Sequence, residues 1–203
     1  MRRSFNALYP SRDEVGLCDC LHAAQGTPAA QAVPDDACRP NQLFALTVPG
    51  LVVEARQRRR IICAAAHLLV PGAIRTLADQ KVEVLQPIYK DGRLLNNPSF
   101  PYWGEYKGDE DTRRKPAYHN GTAWPWVMPS FCEALLQTYG ASATGAVKAI
   151  LHTTAMLMRR GCLGQLPEIL DGDAPHATRG CCAQAWSVTE AYRLLKLLEK
   201  VKK

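Results

Sequence analysis

Four apolar stripes at helical spacing, each stopped by glycine or proline, constrain this chain most. In the first, Val53, Ile61, Ile62, Ala65, Leu68 and Leu69 recur over about Val52 to Val70 with arginines between them, and Pro71-Gly72 follows. Val127, Phe131, Leu135 and Tyr139 form the second at four-residue steps, with Pro129 near its start and Gly140 at its end. Val147, Ile150, Leu151, Ala155 and Met158 form the third, closed by Gly161. The last runs from about Cys182 to the C-terminus with Val188, Tyr192, Leu195 and Leu198 expected inward. A shorter apolar run, Asn41 to Val48, reads as a further helix stopped by Pro49-Gly50. No stretch sustains the apolar–polar alternation of a half-buried strand, so the expected class is all-α, with paired helices and long loops gathered at one end.

Between the stripes lie three loop regions. Residues 1–38 are rich in Ala, Pro, Asp and Gly and read as a loop-rich N-terminal segment after a short helical start, and 39–203 as helical hairpins with long loops, the whole forming one domain. Residues 73–123 read as irregular and hold Tyr89, Phe100, Tyr102, Trp103, Tyr106 and Tyr118; a segment of that length without regular structure is usually functional. A second polar loop runs from Leu163 to Gly180.

With 203 residues, 47% of them apolar and 22% charged, the chain has the material for one globular core rather than a disordered or fibrous segment. Its net charge of +6 comes largely from Arg56, Arg58, Arg59 and Arg60 and from Lys196, Lys200, Lys202 and Lys203. Both runs fall on helical stripes without interleaved aromatics, so they read as solvated faces, and neither nucleic acid nor membrane is an expected partner. The N-terminus has no signal-like apolar run and no window suits a membrane helix, which points to the cytoplasm. Eight cysteines are then expected as thiols. Cys18, Cys20, His22 and Cys38 are close in sequence, but without a second paired-cysteine knuckle no metal site is expected.

Three segments concentrate polar and aromatic chemistry. Arg39-Pro40-Asn41-Gln42 puts a guanidinium and two amides where a loop enters a helix. Residues 118–126 supply Tyr118, His119, Trp124 and Trp126, and the third segment supplies Glu168, Asp171 and Asp173, followed by Gln184 and Trp186. A pyranose offers C–H faces that pack on indole rings and hydroxyls that need directional donors and acceptors, and this residue set provides both. Hydrolysis of a glycosidic bond in most cases uses two carboxyl groups, and any of Glu168, Asp171 and Asp173 could supply one. Each also has an ordinary reading: the tryptophans as core packing, Asp171-Gly172 as a turn, Glu168 as a solvated acid and His119 as a structural hydrogen-bonding residue.

The runs Arg-Pro-Asn-Gln-Leu-Phe-Ala-Leu at 39–46, Leu-Leu-Val-Pro-Gly-Ala-Ile-Arg-Thr-Leu at 68–77, Tyr-His-Asn-Gly-Thr-Ala-Trp-Pro-Trp at 118–126, and Glu-Ile-Leu-Asp-Gly-Asp-Ala-Pro-His with Arg-Gly-Cys-Cys-Ala-Gln-Ala-Trp-Ser-Val within 168–188 resemble motifs of the glycogen debranching enzyme C-terminal family. They occur in that family's order over about residues 35–195. The resemblance implies an α/α toroid of helical hairpins, of which this chain covers roughly the C-terminal half. It also implies removal of α-1,6-linked glucose from limit dextrin, with glycogen or a branched α-glucan as the partner and no cofactor. In related toroidal glycosidases the glutamate of a Glu-x-x-Asp motif near the last helical pair is the general base, and Glu168 matches it; this makes Glu168 the catalytic candidate in an inverting hydrolysis. Arg39, Asn41, Gln42, Tyr118, His119, Trp124, Trp126, Asp171, Asp173, Gln184 and Trp186 are the expected substrate-binding set.

The family's acid is an aspartate in a Trp-Met-Asp segment, and no such segment occurs in this sequence. The early acids Asp13, Glu14 and Asp19 match no catalytic position. Half a toroid would leave apolar helix faces in water, which predicts completion by a second polypeptide, self-association, or a truncated product. A scaffold that binds glucan without cleaving it is the competing expectation; a polyanion site on Arg56 to Arg60 is a third.

Overall fold

The computed structural model describes residues 2–11, 16–50 and 53–201. Asp13, Glu14, Val52, Lys202 and Lys203 therefore lie outside the described residues.

The expected all-α architecture, and with it the half toroid, is overturned. A five-stranded antiparallel sheet runs through the molecule in the order β3 (Leu69–Val70), β4 (Ala73–Arg75), β7 (Ala123–Trp124), β8 (Ile169–Leu170) and β9 (Thr178–Arg179). Two small ladders accompany it: β1 (Leu21–His22) with β2 (Val33–Pro34), and β5 (Tyr89–Lys90) with β6 (Arg93–Leu94). The helices are α1 (Arg2–Leu8), α2 (Phe44–Thr47), α3 (Ala55–Ala66), α4 (Lys115–Tyr118), α5 (Met128–Tyr139), α6 (Thr144–Leu157) and α7 (Ala185–Val201). The fold is mixed α and β.

The sheet escapes a pattern reading for two physical reasons. Its strands are two or three residues long, too short to establish a period of two. Its central strands are also buried on both faces: Ile74, Trp124 and Ile169 join the core built on α3, α5 and α7, while Ala73, Ala123 and Leu170 pack with Leu157, Leu166 and Ala191. The pairing of Ile74 with Trp124 and of Ala123 with Leu170 keeps each set on its own side. A strand covered on both sides reads as a short apolar run rather than as an alternation.

Pro71-Gly72 does not stop a long helix. Helix α3 ends at Ala66, and the two residues turn β3 into β4 with Val70 paired to Ala73. Gly72 has φ +80°, which suits the third position of a type II turn after proline. A Cβ there would lie 2.4 Å from Leu157 Cδ1, so this turn also packs directly on α6. Residues 73–123 are likewise less irregular than expected, since β4, β5, β6, α4 and β7 lie within them. The β5–β6 hairpin carries Asp91 and Gly92 at φ +49° and +75°, the conformation that a two-residue Asp-Gly loop favours.

Helix α5 packs against α2, α3, α6 and α7. It buries Met128, Phe131, Cys132, Ala134 and Leu136, whereas Tyr139 from the expected face is exposed. In α6 the buried positions are Val147, Thr154 and Leu157, and Ala155 is exposed. The inward face of α7 is the expected one only in part: Leu198 is buried and Val188 packs against the core, but Ser187, Ala191 and Leu194 are the other buried positions, while Tyr192 is 59% and Leu195 46% exposed. Small Ser187 and Ala191 let the helix approach closely, and Ser187 Oγ donates to Pro167 O at 3.0 Å. Arg56 and Arg59 lie on the outer side of α3. No helix among the described residues is long and apolar enough to cross a membrane.

Candidate active site

Strand β8 and the loop returning to α7 fix Glu168. Its backbone N–H donates to Cys181 O at 2.8 Å, and the Cys181 N–H donates back to Glu168 Oε2 at 2.8 Å. The Tyr118 hydroxyl donates to Glu168 Oε1. A Cβ at Gly180 would lie 2.5 Å from Glu168 Oε2, and Gly180 has φ +66°, so a larger residue here would push on the carboxylate and strain the backbone. Burial and the bond to Glu168 push the Tyr118 phenol well above its usual range, which keeps it a donor at neutral pH. Each carboxylate oxygen has a second lone pair, so a half-buried Glu168 can still accept from a water or a sugar hydroxyl.

Around Tyr118 the aromatic residues converge. Its ring meets Trp124 edge-on at 4.8 Å and His119 at 4.8 Å, and His119 stacks on Trp124 at 5.7 Å. Trp186 meets Trp124 at 6.2 Å and stacks on Trp126 at 4.9 Å, and Trp126 stacks on Phe44 at 5.9 Å. The tryptophans differ in what they can offer. Trp124 is buried, its Nε1 directed to Tyr118 O at 3.2 Å and Thr122 Oγ1 at 3.1 Å. Trp186 is 45% exposed, and among the described residues the buried Trp126 Nε1 finds no acceptor.

Arg39, Asn41 and His119 line a neighbouring cleft of about 330 Å³ together with Asp19, Asp35, Thr76, Gln86 and Asn120. The Arg39 guanidinium donates to His119 O at 2.5 Å, Asn120 Oδ1 at 2.9 Å, Gln86 Oε1 at 3.1 Å and Thr76 O at 3.3 Å, and pairs with Asp19 at 3.6 Å. Asn41 Nδ2 donates to Asp19 Oδ1 at 2.8 Å. Burial and the Arg39 charge lower the His119 pKa below the ordinary value, so its ring is neutral near pH 7 and offers both a donor and an acceptor. Asp19, Thr76, Gln86 and Asn120 were not singled out by sequence. Asn120 sits inside the Tyr-His-Asn-Gly motif and was within reach, whereas Asp19 and Gln86 lie in loops with no periodicity and no motif.

Other expected binding residues are committed elsewhere. Gln42 is buried, accepting from Leu17 N at 3.1 Å and donating to Arg39 O at 2.9 Å. Asp171 is buried and accepts from Tyr106 N at 2.8 Å and from Arg179 Nε and Nη2 at 3.0 and 2.8 Å. Asp173 accepts from the Tyr102 hydroxyl at 2.8 Å. Gln184 directly precedes α7, its N–H donating to Leu166 O at 2.8 Å. The structure thus brings Glu168, Tyr118, His119, Trp124, Trp126 and Trp186 together, sets Arg39 and Asn41 in a cleft that shares His119, and places Asp171 and Asp173 in the loop after β8.

Trp126 and Trp186 also wall a second cleft, of about 450 Å³, with Glu133, Glu190 and Arg193 on its lining. A further cavity, of about 520 Å³, is lined by residues including Leu17, Asp35 and Ala78 and by none of the ring cluster. Among the described residues, Cys20, His22 and Asp35 form a group with metal-ligand chemistry, all three donor atoms lying within 4.8 Å of one another.

No curated protein matches the chain. The family model described as amylo-α-1,6-glucosidase matches residues 1–193, which takes in the loop-rich N-terminal segment as well as every motif that lines the site. The chain therefore belongs to the amylo-α-1,6-glucosidase family.

Proposed function

We propose that this chain supplies the glucan-binding, base-bearing part of a debranching hydrolase that removes α-1,6-linked glucose from limit dextrin with inversion. The observation that carries the reading is Glu168, held by the Tyr118 hydroxyl and the Cys181 N–H beside a cluster of aromatic rings. In the proposed step the Glu168 carboxylate takes a proton from water as the water oxygen attacks C1. The C1–O6 bond breaks, a carboxylic acid donates its proton to O6, and β-glucose leaves. An inverting pair stands about 6.5–9.5 Å apart to admit that water. The acid comes from a partner segment outside these residues, because no Trp-Met-Asp segment is present among them. Trp186 provides a ring face for the sugar, and His119, Asn41 and Arg39 order its hydroxyls. Asp171 and Asp173 hold the loop.

The same missing segment favours one other reading, a protein that binds glucan and does not cleave it. Isothermal titration with an α-1,6-branched maltooligosaccharide, run beside a glucose-release assay on limit dextrin, tests the pair. The proposal expects binding by the chain alone and glucose release once the acid-bearing partner is supplied. Absence of binding would overturn both readings, and binding with no release even with the partner would leave the scaffold.

A further inference from the structure

Cys20 and Asp35 flank the two-residue ladder of β1 and β2, and His22 lies within it; the ladder ties down a largely exposed loop. Leu21 pairs with Pro34 and His22 with Val33, and Asp35 N donates to Cys20 O at 2.9 Å. The three side chains converge on one point. Cys20 Sγ lies 3.3 Å from His22 Nε2, His22 Nε2 lies 3.0 Å from Asp35 Oδ2, and Cys20 Sγ lies 3.6 Å from the same oxygen. Ligands on a tetrahedral zinc ion, at about 2.0–2.3 Å from the metal, stand about 3.3–3.6 Å from one another. The triangle already has nearly those dimensions.

The carboxylate is also held as a ligand should be. Asp35 is buried; its Oδ1 accepts from Ala37 N at 2.7 Å, and Gln86 Nε2 donates to both oxygens at 3.0 Å. These bonds come from outside the triad and fix the plane of the carboxylate, which is the role of the outer shell at metal sites. The opposite end of Gln86 accepts from Arg39 Nη2, and Asp35 itself lines the same cleft as Arg39.

We propose that Cys20, His22 and Asp35 bind a divalent zinc-like cation that clips the β1–β2 ladder. Thiolate and carboxylate together neutralise its charge, neutral imidazole completes a donor set that suits zinc, and water occupies the fourth position. Two extended residues per strand cannot hold a loop alone, and a metal clip is a common remedy where a core is thin.

The test is cobalt(II) titration of the full, reduced chain by absorbance. Cobalt is tetrahedral in such a site and reports a bound thiolate through a sulfur-to-metal charge-transfer band. The expected result is a one-to-one band that zinc bleaches and that Cys20→Ser abolishes. It persists in a Cys162→Ser/Cys182→Ser double variant, which removes the exposed thiols 3.2 Å apart at the far end of the chain. His22 is 49% exposed, so His22→Gln should keep the wild-type circular dichroism and bind cobalt at least tenfold more weakly. No charge-transfer band, a band retained in Cys20→Ser, a band lost in the double variant, or unchanged cobalt affinity in His22→Gln would each overturn the assignment.

Discussion

Asp171→Asn is the substitution whose cost the structure specifies most closely. The carboxylate accepts one bond from Tyr106 N–H and two from Arg179, and this holds the β8–β9 hairpin that presents Glu168. An asparagine is nearly isosteric, but whichever way its amide turns, an N–H₂ faces a donor: Arg179 in one orientation, Tyr106 N–H in the other. Breaking a fully buried ion pair costs about 3–5 kcal/mol. Here the Asp171 side chain is 9% exposed and Arg179 35%, so solvent screens the pair and the cost falls to about 2 kcal/mol. For a chain of this length that corresponds to a thermal midpoint about 4–8 °C lower. In urea, with an m-value of about 2 kcal/mol/M, the transition moves down by about 1 M. Denaturation followed by circular dichroism measures both. A midpoint shift of less than about 1 °C would refute the view that this pair holds the hairpin.

Adjacent leucines test the placement of α7: Leu194→Ala should cost about 2–5 kcal/mol and Leu195→Ala under about 0.5 kcal/mol, and the reverse order by urea denaturation would restore the face that the sequence pattern suggests. Trp186→Ala should weaken maltooligosaccharide binding about tenfold with little loss of stability, whereas Trp124→Ala should destabilise the fold by about 3–5 kcal/mol; the reverse assignment in titration and melting would remove Trp186 as the sugar platform. The His119 pKa is lowered by burial and by Arg39, so below about pH 6.5 the unfolded chain takes up a proton there that the folded chain resists. Stability should therefore fall as pH drops through that range, and less steeply in His119→Gln. Identical slopes in the two proteins between about pH 7.5 and pH 5.5 would contradict this.

What the sequence reveals about the fold follows the length of each element. Helices α3, α5, α6 and α7 span three turns or more and announce themselves through apolar periodicity, while the inward face of α7 turns on small residues, Ser187 and Ala191, that no hydrophobic pattern weights. The central sheet has no such signature, because Ile74, Trp124, Ala123 and Leu170 lie in strands of two or three residues covered on both sides. The Asp91-Gly92 hairpin was readable from its turn residues alone.

The candidate site divides along similar lines. Tyr118, His119 and Trp124 lie within seven residues and Trp126 two further on, so the motif foretells their convergence. The partnership of Tyr118 with Glu168 across fifty residues, and of Asp19 with Arg39 and Asn41, depends on chain crossings that spacing does not encode. Gln42 illustrates the converse: a polar residue in a site-like motif whose amide is used to hold Leu17 and the Arg39 carbonyl.

The role of Glu168 can be tested apart from the missing acid. Fluoride leaves a glycosidic carbon without being protonated, so α-glucosyl fluoride should report the base alone. The account predicts that the chain releases fluoride and β-glucose from this substrate, that Glu168→Gln abolishes the release, and that Glu168→Gln still binds maltooligosaccharide. Fluoride release unchanged by Glu168→Gln, or α-glucose as the first product, would contradict it.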